Sequence, residues 1–464
     1  MSEEIKSTIP GQYSKKSLYE IASEEEMKAI FDYSEGYKTY LDHSKTEREA
    51  VEWSVGMLKE NGFTEYVPGE ALSAGDKKYF NNRGRCLYVI SVGEEDIAQN
   101  GIRICAAHVD APRLDLKQIP LYEDSEMSFL KTHYYGGIKK YQWTATPLSL
   151  HGRVVRSDGS HVDICIGEDE SDPVFYINDL LPHLGSKQSA KTLGTAISGE
   201  TLNILVGGIP CSDENGKSSV KLNVLRILYE KYGITEEDFI SAELTATPAF
   251  KARDIGFDRA LIGAYGHDDR VCAYPALTAA IEAAGVSKHT IITVLADKEE
   301  IGSVCNTGMQ SFILHDIIRW VSCALGADEA IVRMNSKCLS SDVTAAFDPN
   351  FADVYEKRNS AIVSCGTAMS KYTGSRGKSS TNDASAEYVG FIRRLFDENG
   401  VKWQTAELGK VDEGGGGTVA MYISKLNIDT IDIGVPVISM HAPYEVVSKA
   451  DVYSNYKAIT AFYK

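Results

Sequence analysis

The acidic stretch Ala296-Asp297-Lys298-Glu299-Glu300-Ile301-Gly302-Ser303 follows an apolar run at residues 290–295. A continuous β-branched and aliphatic run of this length predicts a strand that is buried on both faces. Ligands of open α/β sheets bind at the carboxyl ends of the strands, which is where these acidic residues stand. Adjacent Glu299 and Glu300 repel each other unless a cation lies nearby or one carboxyl keeps its proton. A solvated acidic turn is the alternative, and the rest of the chain decides between the two.

Composition limits the class of protein. The chain has 464 residues, of which 43% are hydrophobic and 24% charged, as in globular proteins that form two or more domains. The net charge of −17 argues against nucleic acid as a main partner, because a phosphate-binding face needs clustered Lys and Arg. No segment has the ~20 consecutive apolar residues that predict a membrane span. The charged residues 1–6 lack the apolar segment of a secretion signal.

The cysteines indicate a compartment. There are nine of them, spaced singly and without a C-x-x-C pair. This spacing favours reduced thiols in a cytoplasmic protein over a disulfide framework or a cysteine-based zinc site.

Helices and strands alternate in the first and last parts of the chain, which predicts an α/β sheet with helices on both faces. Capping residues around Thr46 divide the first helical stretch in two. The predicted helices cover about residues 23–61, 270–284, 309–325 and 381–399, with one more ending near 425 and a final one at the C-terminus. The predicted strands cover residues 86–92, 102–107, 290–295, 361–365, 402–408 and 430–435.

Residues 120–250 differ from the flanking parts of the chain in their hydrophobic pattern. Short alternating runs at 148–155 and 162–166 are separated by Gly, Asp and Ser, a pattern that predicts hairpins. We therefore expect a β-rich domain at residues 120–250. It would be inserted into an α/β domain formed by residues 1–119 and 251–464.

Further His and acidic residues stand where strands should end or helices begin. They are His108 with Asp110, Asp268, Asp342 and His441. On an extended segment His108 and Asp110 share a face, so Asp110 can fix the tautomer of the imidazole, as carboxylates do for metal-bound histidines.

Each of these residues also has a plain structural explanation. His108 can be a hydrogen-bonded core histidine, Asp268 a helix cap, Asp342 a turn residue and His441 a partner for a carbonyl. Taken together, however, two His and several carboxylates form a nitrogen and oxygen ligand set. Such a set suits Zn²⁺, with Mn²⁺ or Co²⁺ as substitutes.

The order of these motifs resembles that of the M18 metallo-aminopeptidases, the aspartyl aminopeptidase-like family, over nearly the whole chain. The matching motifs are H-V-D-A-P at 108–112, Y-G-G at 135–137, P-L-S-L at 147–150, H-D-D-R at 267–270, D-K-E-E-I-G-S at 297–303, S-S-D-V at 340–343 and M-H-A-P at 440–443. The resemblance implies a doubly wound mixed sheet of the zinc-peptidase type with an inserted β-rich dimerisation or lid domain.

The resemblance also implies two Zn²⁺ per subunit. One ion would be bound by His108, Asp268 and Asp342, and the other by Asp268, Glu300 and His441, so that Asp268 bridges the pair.

Two further roles follow from the family pattern. Glu299 would be the general base for a metal-bridged water, and Asp110 would orient His108. The family has Asp-Asn where this chain has Asp268-Asp269, so the second acid changes the local charge. The peptide bond after Asp268 is expected to be cis.

Substrate contacts are less defined. Arg376 and Lys378 lie in a Gly/Ser-rich loop, and the resemblance places basic contacts nearby, which suggests a preference for acidic N-terminal residues. Solvated loop charges are the alternative. Thr418 follows four glycines that either admit a substrate backbone or form a flexible loop. His183 resembles a histidine that family members lend to a neighbouring subunit, although an exposed loop histidine is the plain alternative.

The expected function is hydrolysis of the N-terminal residue of peptides by a cytoplasmic enzyme. The resemblance implies dimers that assemble into a tetrahedral dodecamer. Two alternatives stay open. One is another two-metal amidohydrolase, a carboxypeptidase or deacylase, and the other is a metal-binding shell protein without catalysis.

Overall fold

The structure, a computed structural model, describes residues 13–213 and 216–464. Residues 1–6, whose sequence predicts no secretion signal, lie outside the described residues. None of the helices in the described ranges combines the length and the apolar character that a bilayer span requires.

Two long helices and four strands form the first part of the chain. The elements are α1 (Glu24–Asp42), α2 (Glu47–Glu60), β1 (Thr64–Glu65), β2 (Lys77–Asn82), β3 (Cys86–Ser91), α3 (Ile97–Asn100) and β4 (Arg103–His108). The break between α1 and α2 comes from the predicted capping chemistry. The Thr46 hydroxyl accepts the backbone N–H of Glu49, and the Glu49 carboxylate accepts that of Thr46.

The middle of the chain is strand-rich. Its elements are β5 (Arg113–Asp124), β6 (Met127–Tyr135), β7 (Leu148–Val155), β8 (His161–Ile166), β9 (Tyr176–Ile177), α4 (Ser186–Ser189), α5 (Leu193–Ala196), β10 (Ile204–Gly207), β11 (Cys211–Ser212), β12 (Ser218–Ser219), α6 (Val220–Tyr232) and β13 (Ala242–Pro248). Seven strands form an antiparallel sheet in the order β8-β7-β13-β5-β6-β10-β9, and apolar residues of α6 pack against it. The predicted strands at 148–155 and 162–166 are confirmed as β7 and β8.

Alternating helices and strands return in the last part. The elements are β14 (Arg253–Ile255), β15 (Leu261–Ala264), α7 (His267–Ala283), β16 (Ile291–Ala296), α8 (Ile313–Ala324), α9 (Glu329–Asn335), β17 (Lys337–Ser341), β18 (Thr344–Ala345), β19 (Thr367–Ser370), α10 (Ala386–Glu398), β20 (Trp403–Thr405), α11 (Ala420–Ser424), β21 (Asp429–Gly434), β22 (Pro436–Ile438), β23 (Glu445–Ser448) and α12 (Lys449–Tyr463).

A nine-stranded mixed sheet joins the first and last parts in the order β1-β2-β3-β16-β4-β17-β21-β19-β20. Helices α1, α2, α7, α10 and α12 pack on one face, and α3, α8, α9 and α11 on the other. The chain is therefore a doubly wound α/β protein with a second, strand-rich part that contains the antiparallel sheet, as the sequence predicts. A five-stranded sheet, β14-β15-β23-β22-β18, lies beside it.

Strand β16 shows why an uninterrupted apolar run marks the centre of such a sheet. Ile291 and Leu295 belong to the core under α7, whereas Ile292 and Val294 belong to the core under α8. All six residues of β16 are buried, which confirms the predicted burial on both faces.

The register brings the carboxyl ends of three parallel strands to one edge. Ala296 of β16 pairs with His108 of β4, and Ser340 of β17 pairs with Ala106. The polar residues that follow β4, β16 and β17 therefore leave the sheet at the same level. This edge is where the acidic stretch after β16 lies.

Some predicted elements are wrong or too long. Residues 361–365 form no strand; Ser364 has a φ of +67° in a turn, and the strand begins after Gly366, as β19. The helix predicted from 381 begins at Ala386, because Ser385 accepts the N–H of Tyr388 and caps it there. The helix predicted from 309 begins at Ile313.

Candidate metal centre

Acidic and imidazole side chains surround one cavity at the carboxyl edge of the nine-stranded sheet. The cavity has a volume of about 280 Å³, and its lining includes Asp268, Glu299, Glu300, Asp342 and His441.

The carboxylate of Asp268 lies between two imidazoles. Its Oδ1 is 3.3 Å from Nε2 of His108, and its Oδ2 is 3.1 Å from Nε2 of His441. The His108 side chain is only 1% exposed, so it approaches Asp268 from within the protein. Each oxygen of one carboxylate therefore faces a different histidine.

The remaining acids face the same two imidazoles. Oε2 of Glu300 is 3.4 Å from Nε2 of His441. Oδ1 of Asp342 and Oε2 of Glu299 each lie 3.9 Å from Nε2 of His108. Side chains from distant parts of the sequence, such as His108 and His441, thus lie within a few ångströms of the same carboxylates.

Local backbone geometry aims these side chains. Glu299 and Glu300 stand in a tight turn that Lys298 and Gly302 bracket with left-handed φ values of +63° and +92°. Asp268 stands at the start of α7 with non-helical backbone angles. The peptide bond between Asp268 and Asp269 is cis, as predicted.

Asp110 connects both halves of the cluster. Its Oδ1 lies 3.2 Å from Nδ1 of His108 and accepts the backbone N–H of Glu299 at 3.1 Å. Its Oδ2 accepts the backbone N–H of Glu300, also at 3.1 Å. One fully buried carboxylate therefore holds an imidazole and the turn that carries both glutamates.

Residues at and just after the end of β6, in the antiparallel sheet, contact this cluster. The Tyr135 hydroxyl donates to Oδ2 of Asp110 at 2.7 Å, and the Gly137 carbonyl lies 2.8 Å from Nδ1 of His441. The guanidinium of Arg113 lies 4.3 Å from the centre of the Tyr135 ring. The sequence contains the Y-G-G motif, but nothing in its spacing indicates these two contacts.

Glu445 is a buried site residue that the sequence reasoning missed. Its Oε1 accepts the backbone N–H of His441 at 2.7 Å, and its Oε2 accepts that of Asp268 at 3.1 Å. It fixes the backbone of two candidate ligands without facing the cavity. It begins β23, where an isolated Glu carries no recognisable signal.

Asp269, the departure from the family pattern, has a buried role. Its Oδ2 accepts the backbone N–H of His108 at 3.1 Å. Burial raises the pKa of its carboxyl well above the usual range. The second acid therefore supports the strand end that carries His108.

Protonation is strongly perturbed around the cavity. Burial raises the pKa of Glu299 to about 7 and that of Glu300 well above its usual range. Burial alone would lower the pKa of His441, but contact with Asp268 and the charge of Glu300 outweigh it and raise the pKa to about 10. Contacts with His108 and His441 outweigh the effect of burial on Asp268 and hold its pKa below the usual range, so the acids of the site are shifted in opposite directions.

The donor set fits zinc. Two groups, His108 with Asp268 and Glu300, and His108 with Asp269 and Asp342, each offer three ligand atoms within 4.8 Å of one another. Across residues 13–213 and 216–464, Oε1 of Glu300 is among the buried oxygens that lack a hydrogen-bond partner. Imidazole nitrogen and carboxylate oxygen are ordinary zinc ligands, and a cation would balance the charge.

The residues predicted to contact substrate are spread out. Thr418 lines the cavity, and its hydroxyl donates to Oδ1 of Asp432 at 2.7 Å. Arg376 and Lys378 line a separate groove, and Lys378 pairs with Asp383 at 2.9 Å. His183 is exposed in a short turn and belongs to neither lining.

Known proteins are similar to this chain in both sequence and fold. The profile of a family described as Aminopeptidase I zinc metalloprotease (M18) matches residues 40–463. A probable M18 family aminopeptidase 1 of Clostridium acetobutylicum is 48% identical over 455 residues, which are 96% of this chain and 97% of that protein.

Solved structures agree with the sequence match. The crystal structure of an M18 aminopeptidase from Thermotoga maritima is 40% identical and superposes with a TM-score of 0.91, covering 98% of this chain and all of that one. The crystal structure of aminopeptidase I from Clostridium acetobutylicum is 44% identical with a TM-score of 0.90, at the same coverage. The chain therefore belongs to the M18 family of zinc metalloproteases and is a metallo-aminopeptidase.

Proposed function

We propose that the protein is a dinuclear-metal aminopeptidase that removes single N-terminal residues from peptides. The observation that carries the proposal is the position of Asp268, whose two carboxylate oxygens face His108 and His441 separately. A carboxylate placed between two imidazoles in this way can bridge two cations.

The ligand assignment is the one that the family resemblance implies, and the contacts of Asp268 with His108 and His441 support it. His108, Asp268 and Asp342 would bind one Zn²⁺, and Asp268, Glu300 and His441 would bind the other. Mn²⁺ and Co²⁺ suit the same nitrogen and oxygen donors as substitutes. Such ions lower the pKa of water and polarise a carbonyl group.

Glu299 is the general base in this mechanism. It lines the cavity, and it is adjacent to a ligand without duplicating that ligand's contacts. It would take the proton of the attacking water and deliver it to the leaving amine. Asp110 would hold His108 in one orientation through the contact at Nδ1.

The cavity favours the free amino group of a substrate. Among the described residues that line it, none is a Lys or an Arg, whereas several are acids. A carboxypeptidase needs a cationic group to bind the terminal carboxylate. The acidic lining therefore favours an α-ammonium group and argues against the carboxypeptidase alternative.

We extend the proposal to acidic N-terminal residues. Arg376 and Lys378 bring positive charge to a groove that shares Thr373 and Leu408 with the metal cavity. Thr418 would contact the substrate from the cavity wall. His183, which lies outside both linings, would act on a neighbouring subunit's site, as the family resemblance implies.

We also propose an assembly and a location. The predicted boundary at 119/120 divides strand β5 (Arg113–Asp124), so the antiparallel sheet begins at Arg113. The inserted domain, predicted at residues 120–250 between the catalytic parts 1–119 and 251–464, would mediate dimerisation, and the dimers would form a tetrahedral dodecamer. Cytoplasmic location stays a prediction from the singly spaced cysteines, all nine of which are free thiols.

A panel of aminoacyl substrates tests the function. The enzyme is loaded in turn with Zn²⁺, Mn²⁺ and Co²⁺, and each substrate is offered with a free and with an acetylated N-terminus. We expect hydrolysis of free substrates, fastest with Asp or Glu, and loss of activity on acetylation. Equal cleavage of acetylated substrates would favour a carboxypeptidase or deacylase, and no cleavage at all would favour a shell protein.

A further inference from the structure

A second cluster of metal-binding side chains lies where helix α2 packs against the antiparallel sheet. His151 and Cys165 are directly paired residues of the neighbouring strands β7 and β8, so their side chains share one face of the sheet. Glu49, in the first turn of α2, reaches the same face. The cluster is built from different elements than the catalytic centre.

The contacts are close and the imidazole is buried. His151 is 1% exposed, and its Nδ1 lies 2.7 Å from Oε1 of Glu49. Its Nε2 lies 3.3 Å from Oε1 of Glu168 and 2.9 Å from Oγ of Ser149. One ligand atom from each of Glu49, His151 and Cys165 lies within 4.8 Å of the other two.

We propose that Glu49, His151 and Cys165 form a further metal site that takes one Zn²⁺, separate from the catalytic centre. Carboxylate oxygen, imidazole nitrogen and thiolate sulfur are all common zinc ligands, and a water can complete the tetrahedron. The thiolate and the carboxylate balance the charge of a divalent ion when the imidazole is neutral.

The surroundings of His151 match those of a zinc-bound histidine. Such a histidine binds the metal through one ring nitrogen and contacts a carboxylate through the other. Glu168 supplies that carboxylate at Nε2, and its own second oxygen is paired with Lys251 at 3.1 Å. The Lys251 ammonium therefore contacts the oxygen of Glu168 other than the one that faces His151.

The neighbours of His151 favour its protonated form. Burial alone would lower the pKa of His151, but contacts with Cys165, Glu168 and Glu49 outweigh it and raise the pKa well above its usual range. Zinc binding would release the thiol proton and the proton that His151 shares with Glu49. The ion would then tie α2 of the catalytic part to the antiparallel sheet.

Cobalt substitution tests the site independently of catalysis. None of the ligands proposed for the catalytic centre is a cysteine, so a cobalt–thiolate charge-transfer band in the near ultraviolet reports only a cysteine-bound ion. The metal-free full-length protein is titrated with Co²⁺ alone. We expect the band in the unmodified protein and in His441→Ala, which disables the catalytic centre.

Matched variants show whether Cys165 and His151 bind the ion that produces the band. Cys165→Ser and His151→Ala should lose it, and Cys165→Ser should bind about one ion fewer per chain. Cys323→Ser, another exposed cysteine, should keep the band. Absence of the band at saturating Co²⁺, or its persistence in Cys165→Ser, would overturn the proposal. Because Cys165 is an exposed thiol, its replacement by Ser leaves the fold intact, which circular dichroism verifies.

Discussion

The Tyr135 hydroxyl donates a hydrogen bond of 2.7 Å to Oδ2 of Asp110, the carboxylate that contacts His108 and holds the Glu299–Glu300 turn. Tyr135 ends a strand of the antiparallel sheet, whereas Asp110 follows a strand of the nine-stranded sheet. This bond makes the geometry of the metal centre depend on the second sheet.

Tyr135→Phe should therefore weaken metal binding. Removing a group that supports a metal ligand typically reduces metal affinity or activity about 10- to 100-fold. Metal affinity is measured by competition with a chelating dye, and kcat and KM are measured at saturating zinc. The matched control is Tyr388→Phe, which removes another buried hydroxyl, one that donates to the Cys338 carbonyl at 2.9 Å. Equal losses of affinity in the two variants would mean that Tyr135 acts only through general stability.

Glu299→Gln and His441→Ala should separate proton transfer from metal binding. Glu299→Gln is expected to keep its metal and to lose about 10²- to 10⁴-fold in kcat, because the amide cannot accept the proton. His441→Ala is expected to lose bound zinc. Atomic absorption on the purified variants, beside turnover of one peptide substrate, checks both. Equal zinc loss in the two variants would contradict the division of roles.

Acid stability should depend on Asp254. Its carboxylate lies 2.9 Å from the ammonium groups of both Lys38 and Lys449, and Lys449 is 1% exposed. Burial would raise the pKa of Asp254, but these cations and Arg259 outweigh it and hold the pKa well below its usual range. Since the pKa is lower in the folded state, the stabilisation is present above about pH 4 and is lost as the pH falls further.

Asp254→Asn should accordingly lower the free energy of unfolding by about 2 kcal/mol at neutral pH, because it removes the carboxylate that Lys38 and Lys449 share and leaves them, among the described residues, only Glu35, at 2.9 and 4.0 Å. The melting temperatures of the two proteins are compared from pH 8 to pH 3. The difference in melting temperature between the two proteins should be constant down to about pH 5 and should become smaller below pH 4. A difference in melting temperature that grows as the pH falls would contradict the prediction.

The proposed dodecamer predicts a mass twelve times the chain mass of 50.9 kDa. Light scattering coupled to size-exclusion chromatography measures it directly. A dimer would mean that the inserted domain pairs subunits without further assembly, and a monomer would contradict the proposed assembly altogether.

The sequence predicts the sheet and its functional edge because both depend on local patterns. The apolar run before Asp297 specifies a central strand, His108 follows a second predicted strand, and Asp268 precedes a predicted helix. Strand β17, which Asp342 follows, is not predicted, because its sequence is of mixed polarity. The supporting residues could not be predicted in this way. Tyr135 and Glu445 act through contacts between elements that are far apart in the chain, and such contacts depend on how the sheets pack.

The wrong strand at 361–365 has a related cause. A short apolar run predicts a strand, but Ser364 and Gly366 both adopt positive φ there, and Asp451 accepts their backbone N–H groups at 2.7 Å. A buried carboxylate from α12 thus stabilises a turn that the local sequence does not indicate.

Anomalous diffraction from a zinc-soaked crystal would show directly whether the catalytic cavity binds two ions. Two peaks should lie at the catalytic cavity, each about 2.0–2.2 Å from one oxygen of Asp268, with His108 and Asp342 at one and His441 and Glu300 at the other. A single peak bound by only one of the two histidines, or no peak beside Asp268, would contradict the dinuclear centre.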